Sequence, residues 1–216
     1  MAHRPSGGFF IAYKIKICYN FLKQIKEAKT MELIKPCQKY VQSYYEACVE
    51  SKGHLHEDYI MHDPDTYDEW KDTIIQTYED HENGRNLPEG FVPSATRWIV
   101  EGDRYIATVN LRLYLNDALK NYGGSFGIVV RYSERGKGWA TRIYQKYAKR
   151  AARFYKGEPI SVMYEESNKA SGALLHKLPL CREERAMVMI RGELTPLIRV
   201  WVDSQKILVD DRFEDA

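Results

Sequence analysis

The stretch that most restricts what this chain can become is Ile128-Val-Val-Arg-Tyr-Ser-Glu-Arg-Gly-Lys-Gly-Trp-Ala-Thr141. It opens as a buried-strand pattern, passes through a loop holding Gly136 and Gly138, and runs directly into helical sequence. Glycine lets the backbone approach a ligand closely and take conformations closed to other residues. The unbonded N–H groups at a helix start then converge on one place and favour an anion. Arg135 and Lys137 add positive charge. Strand, glycine loop and helix N-terminus together describe a phosphate cradle; a glycine-rich turn between packed elements is the plain alternative. Two other phosphate motifs are excluded. The triphosphate loop needs GxxxxGK[ST], and the dinucleotide fingerprint GxGxxG fails because the sixth position is Thr141.

The surrounding elements predict one α/β (α+β) domain. Met31–Ile34 reads as a short strand before a helix-opening proline, Pro36. Tyr40–Val49 reads as a helix, and a second opens near Asp65 or Thr66 with Trp70, Ile74, Ile75 and Tyr78 on one face. Thr96–Val100 and Tyr105–Leu113 flank the turn Glu101-Gly-Asp-Arg104 as a hairpin. In its second strand, alternation places Tyr105, Ala107, Val109, Leu111 and Leu113 on one face. A short helix, Asn116–Tyr122, ends at Gly123-Gly124. Then come a strand Phe126–Arg131, a long helix Gly138–Tyr155 with Trp139, Ile143, Tyr147, Ala151 and Phe154 on one face, and a strand Ile160–Tyr164. A helix Asn168–Leu178 and strands Ala186–Ile190 and Leu197–Val202 complete the domain. This order predicts a mixed, mostly antiparallel sheet flanked by helices on both faces.

Length and composition suit one soluble core: 216 residues, 44% hydrophobic and 29% charged. No run is long enough to span a membrane. Four cysteines, none with CxxC spacing, suggest neither a zinc knuckle nor a redox dithiol, and reduced thiols predict a cytoplasmic protein. Residues 1–30 carry six cations and one acid, which leaves 26 cations against 29 acids in the remainder. A mildly acidic body argues against nucleic acid as partner. Lys14 and Lys16 interrupt the apolar run Phe9–Cys18, which argues against a secretion signal. Residues 1–30 are therefore expected to form an extension outside the domain, 31–203 the domain, and 204–216 a tail.

Arg135-Gly-Lys-Gly-Trp-Ala140 resembles the R/Q-x-x-G-x-G/A signature of the GNAT superfamily of N-acetyltransferases, and Asn168-Lys-Ala-Ser171 resembles its second motif. The stretch from Pro88-Glu-Gly-Phe-Val92 through Leu115-Asn-Asp-Ala-Leu119 and Tyr122-Gly-Gly124 is similar to one bacterial subfamily of predicted acetyltransferases. The resemblance implies that acetyl-coenzyme A is the co-substrate. The amides of Arg135, Gly136, Lys137, Gly138, Trp139, Ala140 and Thr141 would hold its pyrophosphate. The strand Ile128, Val129 and Val130 would pair with its pantetheine arm, and Asn168 and Ser171 would stand beside it. Many members place a Tyr seven residues after the Asn to protonate the leaving thiolate. Here that position is Leu175, and the usual Gly-Phe that follows is Pro179-Leu180.

The chemistry implied is direct attack of an amine on a thioester. Glu165, at the end of its strand, is the candidate general base, with a solvated loop carboxylate as the plain reading. His176, one residue beyond Leu175, is the candidate substitute acid, against a surface histidine. The acceptor is a small-molecule or peptide amine, and the resemblance is compatible with a homodimer. A non-catalytic acetyl-coenzyme A-binding regulatory module and a nucleotide binder without acyl chemistry are the competing readings. His54-Leu-His-Glu-Asp58 and His62-Asp-Pro-Asp65 hold metal-ligand residue types, but their loop setting favours an acceptor-side loop and no metal site. The basic face Arg142, Lys146, Lys149, Arg150 and Arg153 reads as solvated, with Arg142 nearest a coenzyme A 3′-phosphate.

Overall fold

The computed structural model describes residues 31–54, 62–121, 123–190 and 192–214. The extension 1–30, His56 and Asp58 of the histidine loop, and Tyr122 lie outside the described residues. In chain order the strands are β1 (Met31–Ile34), β2 (Ser94–Glu101), β3 (Arg104–Arg112), β4 (Phe126–Val130), β5 (Ile160–Glu165), β6 (Leu180–Ile190) and β7 (Glu193–Val202). The helices are α1 (Val41–Ser51), α2 (Tyr67–Trp70), α3 (Ile74–Glu82), α4 (Asp117–Asn121), α5 (Trp139–Phe154), α6 (Lys169–Leu175) and α7 (Ser204–Val209).

The strands form two antiparallel sheets, β1-β2-β3-β4 and β5-β7-β6. They meet where Ser125 N–H donates to the Ser161 carbonyl at 2.8 Å. Gly124 makes that approach feasible. Its φ is +65°, and a Cβ there would stand 2.6 Å from the Ser161 carbonyl oxygen. Past this junction β4 pairs only with β3, and β5 only with β7. Among the described residues, one edge of β4 is therefore left without a strand partner.

Helices cover both faces of the first sheet and one face of the second. On the side common to both, Trp139, Ile143 and Ala152 of α5, Leu175 of α6 and Ile207 of α7 pack against Ile106, Val162 and Val200. On the other side of the first, Tyr44, Trp70 and Ile74 pack on Trp98, Val100 and Tyr105. Mixed α/β architecture with helices on both faces is as the sequence predicts.

Several details differ. The register between β2 and β3 shifts, so that Ile99 faces Ala107 but Val100 faces Tyr105. Ile106 is the extra residue of this bulge, and it turns Tyr105 onto the Thr108 face, where the two hydroxyls lie 2.7 Å apart. Strict alternation had put Tyr105 with Ala107. The expected second helix is two pieces, and Asp63, neither Asp65 nor Thr66, caps the turn before it by accepting from Asp65 N–H. Pro36 precedes a 3-10 turn, Gln38–Tyr40, and α1 itself opens at Val41. Phe154 is exposed, the inner face of α5 being completed by Ala148 and Ala152. The stretch from 204, read as a tail, packs on α5 with Ile207 and Phe213 buried in the main core.

Candidate functional site

The loop between β4 and α5 is built by its glycines. Gly136 and Gly138 take φ of +76° and +79°, and a Cβ at either would meet nothing within 4 Å. Open space and left-handed backbone together mean that the glycines serve the loop's path and leave its outer side clear. Gly138 is the N-cap of α5, with no side-chain cap. Arg142 N–H makes the first bond back to it, to the Gly138 carbonyl. Among the described residues, none of the amides from Gly136 to Thr141 has a backbone or side-chain acceptor. Uncapped amides at the positive end of a sixteen-residue helix make an anion-binding surface.

A carboxylate that sequence reasoning passed over holds this loop in shape. Glu134, buried just before the glycines, accepts from Trp139 Nε1 at 3.1 Å and from Lys137 Nζ at 3.2 Å. Arg104 reaches its other oxygen at 3.2 Å. Burial works against the Glu134 charge, yet the Lys137 and Trp139 hydrogen bonds hold its pKa below the usual carboxylate range. Lys137 is thus paired within the loop. Arg135 donates from Nε to the Val130 carbonyl at 3.2 Å, at the end of β4. Trp139 is buried, and the Arg142 guanidinium lies over its ring at 3.8 Å. The signal for Glu134 was its place five residues before a tryptophan with a donor to satisfy.

Upstream, Arg131 ties the end of β4 to α1. Its guanidinium pairs with Glu50 and reaches Ser43 Oγ at 3.1 Å and Glu46 at 3.4 Å. Burial disfavours the Glu50 charge, but hydrogen bonds from Arg131 and Ser133 take its pKa down to about 2. Across the gap, Asn168 caps α6 by accepting from Ser171 N–H at 3.1 Å. The unpaired edge Ile128, Val129 and Val130, the loop from Arg135 to Thr141, and Asn168 with Ser171 follow the ends of the two strands that the junction brings together.

Glu165 and His176 are not brought together. Glu165 ends β5, where it accepts from Ser167 Oγ at 3.3 Å. By alternation it points away from the face that Ile160, Val162 and Tyr164 turn toward α5 and α6. His176 follows the last turn of α6. Its Nδ1 is 2.7 Å from the Gly172 carbonyl and its Nε2 2.8 Å from Glu183. The Gly172 carbonyl first, then Glu183, raise its pKa. Leu175 is buried in the core. Tyr164, unflagged by any motif, lies against α6: a Cβ on Gly172 would be 3.2 Å from its hydroxyl. No described residue hydrogen-bonds that hydroxyl. Burial and the neighbouring acids Glu183 and Glu166 raise its pKa, so it stays protonated at neutral pH.

The histidine loop separates in the same way. His54 stacks on Tyr132 at 3.7 Å, whereas His62 is half-buried with its Nδ1 2.9 Å from the Tyr44 hydroxyl. Among the described residues, no group of three metal-ligating side chains occurs.

No protein-family model matches the chain, and no curated protein matches it. Solved structures do. Mycobacterium smegmatis RimJ in complex with CoA-disulfide aligns at a TM-score of 0.63 and 16% identity, over 86% of this chain and 87% of that one. A spermidine N-acetyltransferase SpeG chimera from Vibrio cholerae and hSSAT aligns at 0.58 and 14%, over 83% and 99%. The microcin C7 self-immunity acetyltransferase MccE, in complex with acetyl-CoA and AMP, aligns at 0.53 and 14%, over 82% and 93%. The chain therefore has the fold of the GNAT N-acetyltransferases.

Proposed function

We propose that this protein is an acetyl-coenzyme A-dependent N-acetyltransferase that passes the acetyl group directly to an amine of a small molecule or peptide. The observation that carries this reading is the run of unbonded amides, Gly136 to Thr141, opening α5 beside the unpaired edge of β4. A diphosphate matches the first feature and an extended amide-bearing arm the second. The shared fold supports it, because RimJ is in complex with CoA-disulfide and MccE with acetyl-CoA and AMP.

In this reading the backbone N–H of Val130, which alternation turns to the unpaired edge of β4 while that of Val129 faces β3, stabilises the oxyanion that forms when the amine attacks the thioester. The acceptor must lose a proton, since an alkylamine has a pKa of about 10.4. Glu165 is the side chain proposed to take it, directly or through water. Tyr164 is proposed to protonate the departing thiolate in place of His176, whose ring nitrogens are both occupied. Holding the reactants together supplies ~7–11 kcal/mol without a covalent intermediate. Buried Leu175, where a phenol would be expected, favours a second reading, a binding module without catalysis.

Calorimetry with acetyl-coenzyme A on a folded Gly138→Asp variant tests the site. The added carboxylate is expected to weaken binding at least tenfold, and unchanged affinity would remove the assignment. Thiol release with a panel of polyamines, amino acids, aminoglycosides and peptide N-termini separates the enzyme from the binding module.

A further inference from the structure

Beyond its first turn α5 does not fill the space over the sheet. A cavity of about 110 Å³ lies between α5, the strands and α7. Apolar residues dominate its lining, Val109, Phe126, Ile143, Ala148, Val162 and Ile207 among them. Arg150 and Phe154 are its exposed lining residues and mark the mouth, beside Arg97. Arg97 is committed to Glu82 through hydrogen bonds of 2.7 and 2.9 Å. Arg150 has no ion pair among the described residues. Inside, the Tyr144 hydroxyl has no hydrogen-bond partner among the described residues. Burial alone raises that phenol's pKa, and Tyr144, half-buried, is one of the residues lining the cavity.

These features ask for an elongated amphiphile. The cavity is somewhat smaller than an apolar cavity of ~150 Å³ that accepts benzene, so roughly four to six carbons fit. Tyr144 and Arg150 are six residues apart on one helix, about 9 Å along its axis. A phenol hydroxyl without a protein partner that lines the cavity is a donor available to a ligand oxygen at that depth. A free guanidinium at the mouth matches a carboxylate. We propose that this cavity binds a medium-chain aliphatic carboxylate, with its acid group on Arg150 and an inner acceptor oxygen on the Tyr144 hydroxyl. The cavity's lining includes no residue of the glycine loop, its first contribution from α5 being Ile143.

The test is calorimetry on the full chain with heptanoate, 6-oxoheptanoate and 1-heptanol. Both acids are expected to bind, the oxo acid more tightly, and the alcohol at least tenfold more weakly. Arg150→Gln should weaken both acids about tenfold, and Tyr144→Phe should erase the advantage of the oxo acid. Ala148→Leu, which fills the cavity and should keep or raise the melting temperature, should abolish binding. Failure of all three probes at millimolar concentration would overturn the proposal, as would acid binding that survives Ala148→Leu or ignores Arg150→Gln.

Discussion

Trp139 Nε1 donates to Glu134 Oε2 at 3.1 Å, closing the glycine loop on itself from the first residue of α5 to the last turn before the glycines. The same carboxylate oxygen accepts from Lys137. One acidic group therefore fixes the loop's shape and also neutralises a cation beside the proposed diphosphate. These roles separate by substitution. Glu134→Gln keeps an acceptor for the indole and releases Lys137, so acetyl-coenzyme A affinity is expected to rise a few-fold. Glu134→Ala leaves a buried indole N–H unpaired, at a cost of about 1–3 kcal/mol in stability, and affinity should fall. Equal effects of the two substitutions in calorimetry and thermal melts would contradict this division.

The glycines of the site divide just as clearly. Gly124→Ala places a methyl 2.6 Å from the Ser161 carbonyl, beside the Ser125 N–H bond that joins the two sheets, and in the left-handed region. Backbone must move there, and destabilisation of about 3 kcal/mol or more is expected. Gly136→Ala meets open space, so the conformational cost alone applies, about 1–2 kcal/mol. Urea unfolding of both variants would measure the difference; a Gly136→Ala protein less stable than Gly124→Ala would refute the account.

Much of this was legible because it is local. Gly136 and Gly138 announce a strand-to-helix turn, and Asn168 is placed to cap α6, which its side chain does. What stayed hidden depends on contacts distant in sequence. Nothing near Tyr164 says that Gly172 will receive its ring, and nothing near Arg131 names Glu50 as its partner, 81 positions earlier. Ile106 hid its bulge because Ile106 and Ala107 are both apolar, so a shift of face leaves the pattern readable either way. Ile207 and Phe213 are not legible as core in the sequence, because a six-residue helix and the turn after it are too short to show periodicity.

His62 sets a pH limit on the fold. Burial first, and the charge of His81 second, lower its pKa to about 4, and its Nδ1 lies 2.9 Å from the Tyr44 hydroxyl. The folded state thus resists a proton that the unfolded chain accepts near pH 6.5. Stability from this group is complete above pH 6.5 and is lost as pH falls toward 4, by ~3 kcal/mol across the window. The Glu50 pair acts lower, between its ordinary range and about 2. The melting temperature should therefore fall from pH 6.5 to 4.5, and His62→Gln should flatten that fall. An unchanged slope in the variant would assign the dependence to another group.

The acid–base groups give the sharpest kinetic test. A protonated amine cannot attack, whereas a thiolate, the conjugate base of a comparatively acidic group, can depart near neutrality without much help. Loss of the base should therefore cost more than loss of the acid. Glu165→Gln is expected to lower kcat by ~10²–10⁴ with little change in acetyl-coenzyme A affinity. Tyr164→Phe keeps the ring against Gly172 and removes only the hydroxyl, so its loss should be smaller, about tenfold, with folding intact. His176→Ala removes a surface pair with Glu183 and should leave kcat near wild type. Turnover of the three variants from pH 6 to 9 decides among them. Wild-type rates in Glu165→Gln would leave a substrate-bound water as the proton acceptor. A larger loss in His176→Ala than in Tyr164→Phe would return the acid to the histidine, and would require its ring to leave both Gly172 and Glu183 during the reaction.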